Sequence, residues 1–130
     1  MKKKKKNNDK ELHIFSVVSD FEISKDGVCF LTPRAVDLIK AVHETGSILA
    51  ASKEARIAYP QAWNLLDTLN HISDLPVVVR QQGGIHGGGT IVTPFGMRLI
   101  TRYCKLQAKY DNFILEMEKE IQDLFTFVAK

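Results

Sequence analysis

The chain has 130 residues, 45% of them hydrophobic, with 18 Lys and Arg against 15 Asp and Glu for a net charge of +3. That length fits one globular domain able to bury roughly two thirds of its unfolded surface without metal or disulfide support. The charge is unevenly placed. Six lysines against Asp9 and Glu11 give residues 1–11 a net +4, leaving −1 for the other 119 residues, so the total alone does not argue for nucleic-acid binding.

Residues 1–11 read as a disordered basic tail and residues 12–130 as the domain. No apolar run is long enough for a membrane helix, and polar residues 7–11 stand where a signal peptide needs an apolar stretch. A cytoplasmic protein is expected. Cys29 and Cys104 lie 75 positions apart without the Cys/His spacing of a zinc site, and read as two reduced, core-facing thiols. No metal or other cofactor is expected.

In chain order, Leu12–Val18 reads as a strand, followed by Phe21–Ile23 and Val28–Leu31 around a Lys25-Asp26-Gly27 turn, in which Asp-Gly is a hairpin signal. From Pro33 the apolar period becomes helical through Ala35, Leu38, Ile39 and Val42, until Gly46 stops it. Ser47 is a good N-cap for a second helix to about Ala55. A third begins near Tyr59 or Pro60 and runs to about Ile72, with Ala62, Leu65, Leu66, Leu69 and Ile72 as its apolar set. Val77–Arg80 and Thr90–Val92 flank a glycine-rich loop from Gln81 to Gly89 and suggest a long hairpin. Thr93 and Pro94 then open a helix unbroken to about residue 127, roughly 50 Å long.

Two short helices joined by a tight turn and followed by a hairpin is the order of a winged helix-turn-helix. The expected fold class is α+β, mainly α, with N-terminal β-strands and a long C-terminal dimerisation helix over about 94–127. Charge divides in the same sense: residues 47–105 sum to +3, whereas residues 12–46 and 106–130 sum to −2 each. Lys53, Arg56, Arg80, Arg98, Arg102 and Lys105 can neutralise phosphates. An ordinary solvated surface also carries such a balance.

On the third helix Gln61, Asn64, Thr68 and the edge of Tyr59 point away from the apolar face, and Gln and Asn amides can pair bidentately with adenine. Plain surface polarity is the competing reading, and Trp63 reads as a packing residue rather than a base contact. The GGIHGGG loop lacks the Lys-Ser/Thr ending of a nucleotide P-loop and suits a flexible wing tip near a phosphate or minor groove, with His86, Gly87 and Gly88 as candidate contacts. The four histidines lie on separate elements and no nucleophile motif is present, so an enzyme is not expected. Along the last helix Leu99, Tyr103, Leu106, Tyr110, Phe113 and Met117 step by 4, 3, 4, 3 and 4, and Ile121, Leu124 and Val128 continue after a stutter. This seam points to a symmetric dimer, or else to packing on the chain's own N-terminal strands.

The segment AVHETGSILAASKEARIAYPQAWNLLDTLN, with the glycine-rich loop and TPFGMRLI behind it, resembles the N-terminal DNA-binding domain of ModE-type molybdate-responsive transcriptional regulators. It also shares the layout of LysR-type winged helices, which commonly have Pro where this chain has Pro60. Its most specific parts are Glu44–Ser47, Ala62-Trp63 and Gly87–Gly89. The resemblance implies a homodimer that binds double-stranded DNA as an inverted repeat. The candidate contacts are Ser47, Lys53, Arg56, Tyr59, Pro60, Gln61, Asn64, Thr68, Arg80, His86, Gly87 and Gly88. Full-length family members add C-terminal oxyanion-binding domains for which this chain leaves no room, so no oxyanion ligand is expected. Ala58, Tyr59 and Pro60 stand where the family often has Ser-Tyr-Lys, which removes a side-chain cap and a cation, and Ile85 and His86 replace a common wing lysine. The alternative is a protein-interaction module on a winged-helix scaffold that no longer binds DNA.

Overall fold

A computed structural model describes residues 14–81 and 89–128. Residues 20–108 form one compact unit, and the flanking segments, up to residue 19 and from residue 109, form another. The chain is α+β and mainly helical. Its elements are β1 (Ile23–Lys25), β2 (Val28–Leu31), α1 (Pro33–Thr45), α2 (Ile48–Ala55), α3 (Tyr59–Ile72), β3 (Val78–Arg80), β4 (Thr90–Val92) and α4 (Pro94–Val128).

The first hairpin turns on Asp26 and Gly27, at φ 52° and 81°. Positive φ at both central residues matches the right-handed twist of the flanking strands, which is why Asp-Gly occupies this turn. Thr32 then caps α1 by accepting a hydrogen bond from the Ala35 N–H at 3.0 Å, and Pro33 begins the helix where no N–H partner is required. Gly46 ends it at φ 72°, donating its N–H to the Val42 carbonyl at 2.8 Å. Ser47 immediately caps α2 through the Ala50 N–H at 3.1 Å. The α2–α3 turn needs another left-handed residue, supplied by Arg56 at φ 60°. Ile57 beside it is buried, so the turn is anchored by an apolar side chain.

The core of residues 20–108 is built on α1, whose Leu38, Ile39 and Val42 are fully buried with Ala51 of α2 and Ala62, Leu66 and Leu69 of α3. The second hairpin closes the far side of α3. Its antiparallel register pairs Val78 with Val92, Val79 with Ile91 and Arg80 with Thr90, and the Gln81 N–H donates to the Gly89 carbonyl at 2.8 Å where the loop leaves the ladder. Thr93 caps α4 by accepting from the Gly96 N–H at 2.9 Å and donates to the Pro76 carbonyl at 2.7 Å.

Three sequence expectations require correction. Residues 14–18 are not a strand. In the unit formed by the flanking segments, the Val17 N–H donates to the Glu118 carboxylate at 2.9 Å, Ser19 and Tyr110 share a hydroxyl hydrogen bond, and Phe15 stacks on Phe125 at 4.8 Å. A helix offers this segment side chains but no free backbone edge, so no ladder forms. Phe21 and Glu22 precede β1, whose register is irregular between Ile23 and Ser24, and the Phe21 carbonyl accepts from the Tyr103 hydroxyl at 2.8 Å. Cys29 is exposed rather than core-facing, because it shares a strand face with the buried Leu31 but stands two residues nearer the hairpin turn, at the end of β2 that the core does not cover, while Cys104 packs half-buried against the core.

Gly96 marks the tightest approach in this unit. A Cβ there would lie 2.4 Å from the Val77 carbonyl oxygen and 2.8 Å from a Val92 methyl. Gly96→Ala is therefore expected to lower stability by about 1–3 kcal/mol despite alanine's better helix propensity. Urea denaturation checks this: a midpoint equal to or above wild type contradicts the packing account.

Candidate nucleic-acid interface

The outer face of α3 carries Pro60, Gln61, Asn64, Asp67, Thr68 and His71, all exposed, because Ala62, Leu66 and Leu69 turn the opposite face into the core. The helix starts without a side-chain cap at Ala58. Lys25 compensates at the other end, its Nζ donating to the Ile72 carbonyl at 2.6 Å and to Asp74 at 2.7 Å.

Two flanks of this face have distinct chemistry. Toward β3, Tyr59 is 42% exposed and meets the half-buried Trp63 edge-on at 6.5 Å, while the Arg80 guanidinium lies 4.8 Å from the Trp63 ring centre. A cation over a ring face is held by the ring quadrupole, and Arg80 keeps its exposure while in this contact. A cleft of about 320 Å³ opens between Trp63, Asp67 and Asn70 of α3 and Val79, Arg80 and Thr90 of the hairpin. Toward β2, Asn64 and Thr68 line a second cleft, about 310 Å³, with Cys29, Phe30 and Thr32. Gln61 meets α1 instead, its carbonyl oxygen accepting from Arg34 Nη2 at 3.2 Å.

Asn70 holds the two structures together. Its amide oxygen accepts from the N–H groups of Val77 and Val78, at 2.7 and 3.1 Å, and its NH₂ donates to the Val78 carbonyl at 2.9 Å. On the other strand the Thr90 N–H donates to the Gly46 carbonyl at 2.9 Å. A Cβ on Gly89 would come within 2.8 Å of that same carbonyl oxygen, so a side chain there would push β4 away from the α1–α2 turn.

The candidate contacts fall as follows. Tyr59, Pro60, Gln61, Asn64 and Thr68 share the open side of α3, and Arg80 stands beside them through Trp63. Lys53 and Arg56 are exposed on α2 and its turn, whereas Ser47 is half-buried and engaged as a cap. His86, Gly87 and Gly88 lie outside the described residues. Of the seam, Tyr103 is 3% exposed in the core and Leu99 packs against it, so these two serve their own chain. Leu106, Phe113, Ile121 and Leu124 are exposed, and Tyr110 and Met117 half-buried. Sequence reasoning did not single out Arg34, Asp67 or Asn70. Asn70 had a local signal, since an asparagine inside a helix competes with the helical backbone for hydrogen bonds.

Other chemistry is sparse. Among the described residues no group of three His, Cys, Asp or Glu side chains is placed to hold a metal ion, and no helix is long and apolar enough to cross a membrane. Partial desolvation, and after it the Glu22 carboxylate 3.7 Å away, push the Cys29 thiol above its ordinary pKa, the opposite of what a nucleophile needs.

These features define a small helical protein in which an open helix face and a hairpin are joined side by side, with Arg80 at the junction. Comparison with known proteins agrees with that class. No family model matches the chain. It is 34% identical over 104 residues to the transcriptional regulator ModE of Haemophilus influenzae, covering 78% of this chain and 41% of the relative. It is 32% identical over 94 residues to the molybdenum transport protein ModE of Azotobacter vinelandii, covering 72% and 35%. It is 39% identical over 74 residues to an Escherichia coli DNA-binding transcriptional dual regulator ModE, covering 57% and 28%. The chain carries a ModE-type domain and is related to transcriptional regulators, and it spans between about a quarter and two fifths of the length of these relatives.

Because the Arg80 guanidinium lies over the Trp63 ring, Arg80→Ala should move tryptophan emission to longer wavelength and cost about 0.5–1 kcal/mol of stability. Trp63 is the only tryptophan of the chain, so the spectrum reports this site alone. An unchanged emission maximum would show that the guanidinium does not cover the indole.

Proposed function

We propose that the protein is a sequence-specific DNA-binding transcriptional regulator, without enzymatic activity, that works in the cytoplasm as a winged helix-turn-helix homodimer. In this reading α2, its turn and α3 are the helix-turn-helix, α3 enters the major groove, and the β3–β4 hairpin is the wing. The observation that carries it is the open face of α3 fixed beside Arg80, in a stretch, residues 47–105, with a net charge of +3. Gln61, Asn64 and Thr68 would read base edges, with Tyr59 and Pro60 beside them. Lys53, Arg56, Arg80 and the loop holding His86, Gly87 and Gly88 would contact backbone phosphates. Ser47 would act through the helix N-terminus it caps. The tail of residues 1–11 would add salt-sensitive, non-specific attraction. The role proposed here is DNA contact without an oxyanion ligand.

Arg56 adds support of a different kind. A left-handed arginine costs roughly 1–2 kcal/mol that glycine would avoid, and such strain is retained where the side chain has a task. Arg56→Gly is therefore expected to keep or raise fold stability while weakening DNA binding and lowering the salt dependence by about one charge. A gel shift with the chain lacking residues 1–11 reads this. Loss of all specific binding on removing the tail would favour the protein-interaction reading instead.

The dimer reading rests on the last helix. Phe113 and Leu124 are 55% and 53% exposed, and leaving such side chains in water forgoes ~1.5–3 kcal/mol each. A second copy would cover them, bringing two α3 helices to successive major grooves of an inverted repeat. Sedimentation should give a dimer at micromolar concentration and a monomer for Phe113→Glu with Leu124→Glu. A wild-type monomer contradicts the seam.

A further inference from the structure

We infer that Arg34 decides which base Gln61 reads, turning a side chain suited to adenine into one that selects guanine. The inference rests on the proposed entry of α3 into the major groove and goes beyond it by naming the base and the residue responsible.

Arg34 sits in the first turn of α1, 27 positions before Gln61, and both side chains are exposed. A guanidinium has five N–H donors and no acceptor. The atom of the Gln61 amide that faces it at 3.2 Å must therefore be the carbonyl oxygen, which settles the orientation of an amide whose two ends are otherwise easily exchanged. With Oε1 already accepting from a cation, the Gln61 NH₂ is the end turned toward a partner without a competing donor beside it.

Bidentate recognition of adenine needs both ends of the amide, the oxygen to accept from the exocyclic amine and the NH₂ to donate to the ring nitrogen. Arg34 takes one of the two lone pairs of that oxygen and sets its own N–H donors beside the other, where the adenine amine would have to approach. What Arg34 and Gln61 present together is a group of donors: the amide NH₂ and the remaining guanidinium N–H groups. Among the four bases only guanine offers two acceptors and no donor along its major-groove edge, at N7 and O6. Thymine offers one acceptor beside a methyl group, adenine mixes donor and acceptor, and cytosine offers a donor. Donors matched to two acceptors leave no buried polar group unpaired, whereas adenine would set its amine against them.

The test is selection of bound duplexes from a random pool with the full chain and excess competitor DNA, repeated with Arg34→Ala, Arg34→Lys and Gln61→Ala. The base pair read by Gln61 is the one whose preference Gln61→Ala abolishes. There the wild-type chain should enrich guanine over adenine roughly fivefold or more. Arg34→Ala, which frees the amide oxygen, should reverse that preference toward adenine, while Arg34→Lys, still a donor without an acceptor, should keep guanine. Adenine enriched by the wild type at that pair, or guanine retained by Arg34→Ala, overturns the inference and leaves the DNA-reading proposal standing. A wild-type pool with no consensus overturns both.

Discussion

The amide of Asn70 is the contact on which the candidate surface depends. One side chain satisfies two backbone N–H groups and one carbonyl at the start of β3, which a three-residue strand paired on one side would otherwise leave to water or unpaired. Each such group, if buried without a partner, costs about 1–3 kcal/mol. Because Asn70 belongs to α3, the hairpin is fixed to that helix, and the Thr90 bond to the Gly46 carbonyl fixes its second strand to the α1–α2 turn. Arg80 can stack on Trp63 only because β3 is held at this distance. Gly89 and Gly96 are the steric counterpart of these bonds, positions where the backbone comes too close for a side chain.

Electrostatics then acts on a rigid frame. The net +3 of the chain is a poor guide, since residues 1–11 alone carry +4, and the charge tied to the fold is the separate +3 of residues 47–105. Within that stretch the cations differ in kind. Arg80 lies over an aromatic ring, Arg56 stands exposed on a left-handed turn residue, and Lys53 is exposed on α2. Asp67 stands on the same open face, an acid that disfavours phosphate but can accept from cytosine. Such a mixture suits discrimination among bases better than indiscriminate binding to the backbone.

Much of this was legible in the sequence because the signals were local. Asp26-Gly27, Pro33, Gly46-Ser47 and Thr93-Pro94 mark turns, helix starts and caps by chemistry that acts within four residues, and the helices begin and end beside them. The expected strand failed over residues 14–18 for the opposite reason: alternation shows that a segment is extended, not whether a strand edge lies next to it. The contacts that shape the site were hidden because they join distant positions. Arg34 lies in a stretch of net negative charge and gains meaning only across the 27 positions to Gln61, and nothing in the heptad-like spacing distinguishes Tyr103, spent inside its own chain, from Phe113, which is exposed.

The central claim is that the open face of α3 and the base of the second hairpin meet DNA. Amide and side-chain NMR of the full chain, titrated with a selected duplex and with a scrambled one at the same salt concentration, tests it most directly. The account predicts that the selected duplex alone perturbs Gln61, Asn64, Thr68, the Arg80 guanidinium and the Trp63 indole, with the core residues Leu38 and Ile39 unmoved. Perturbations confined to Leu106–Phe125, or identical shifts with both duplexes, would contradict it.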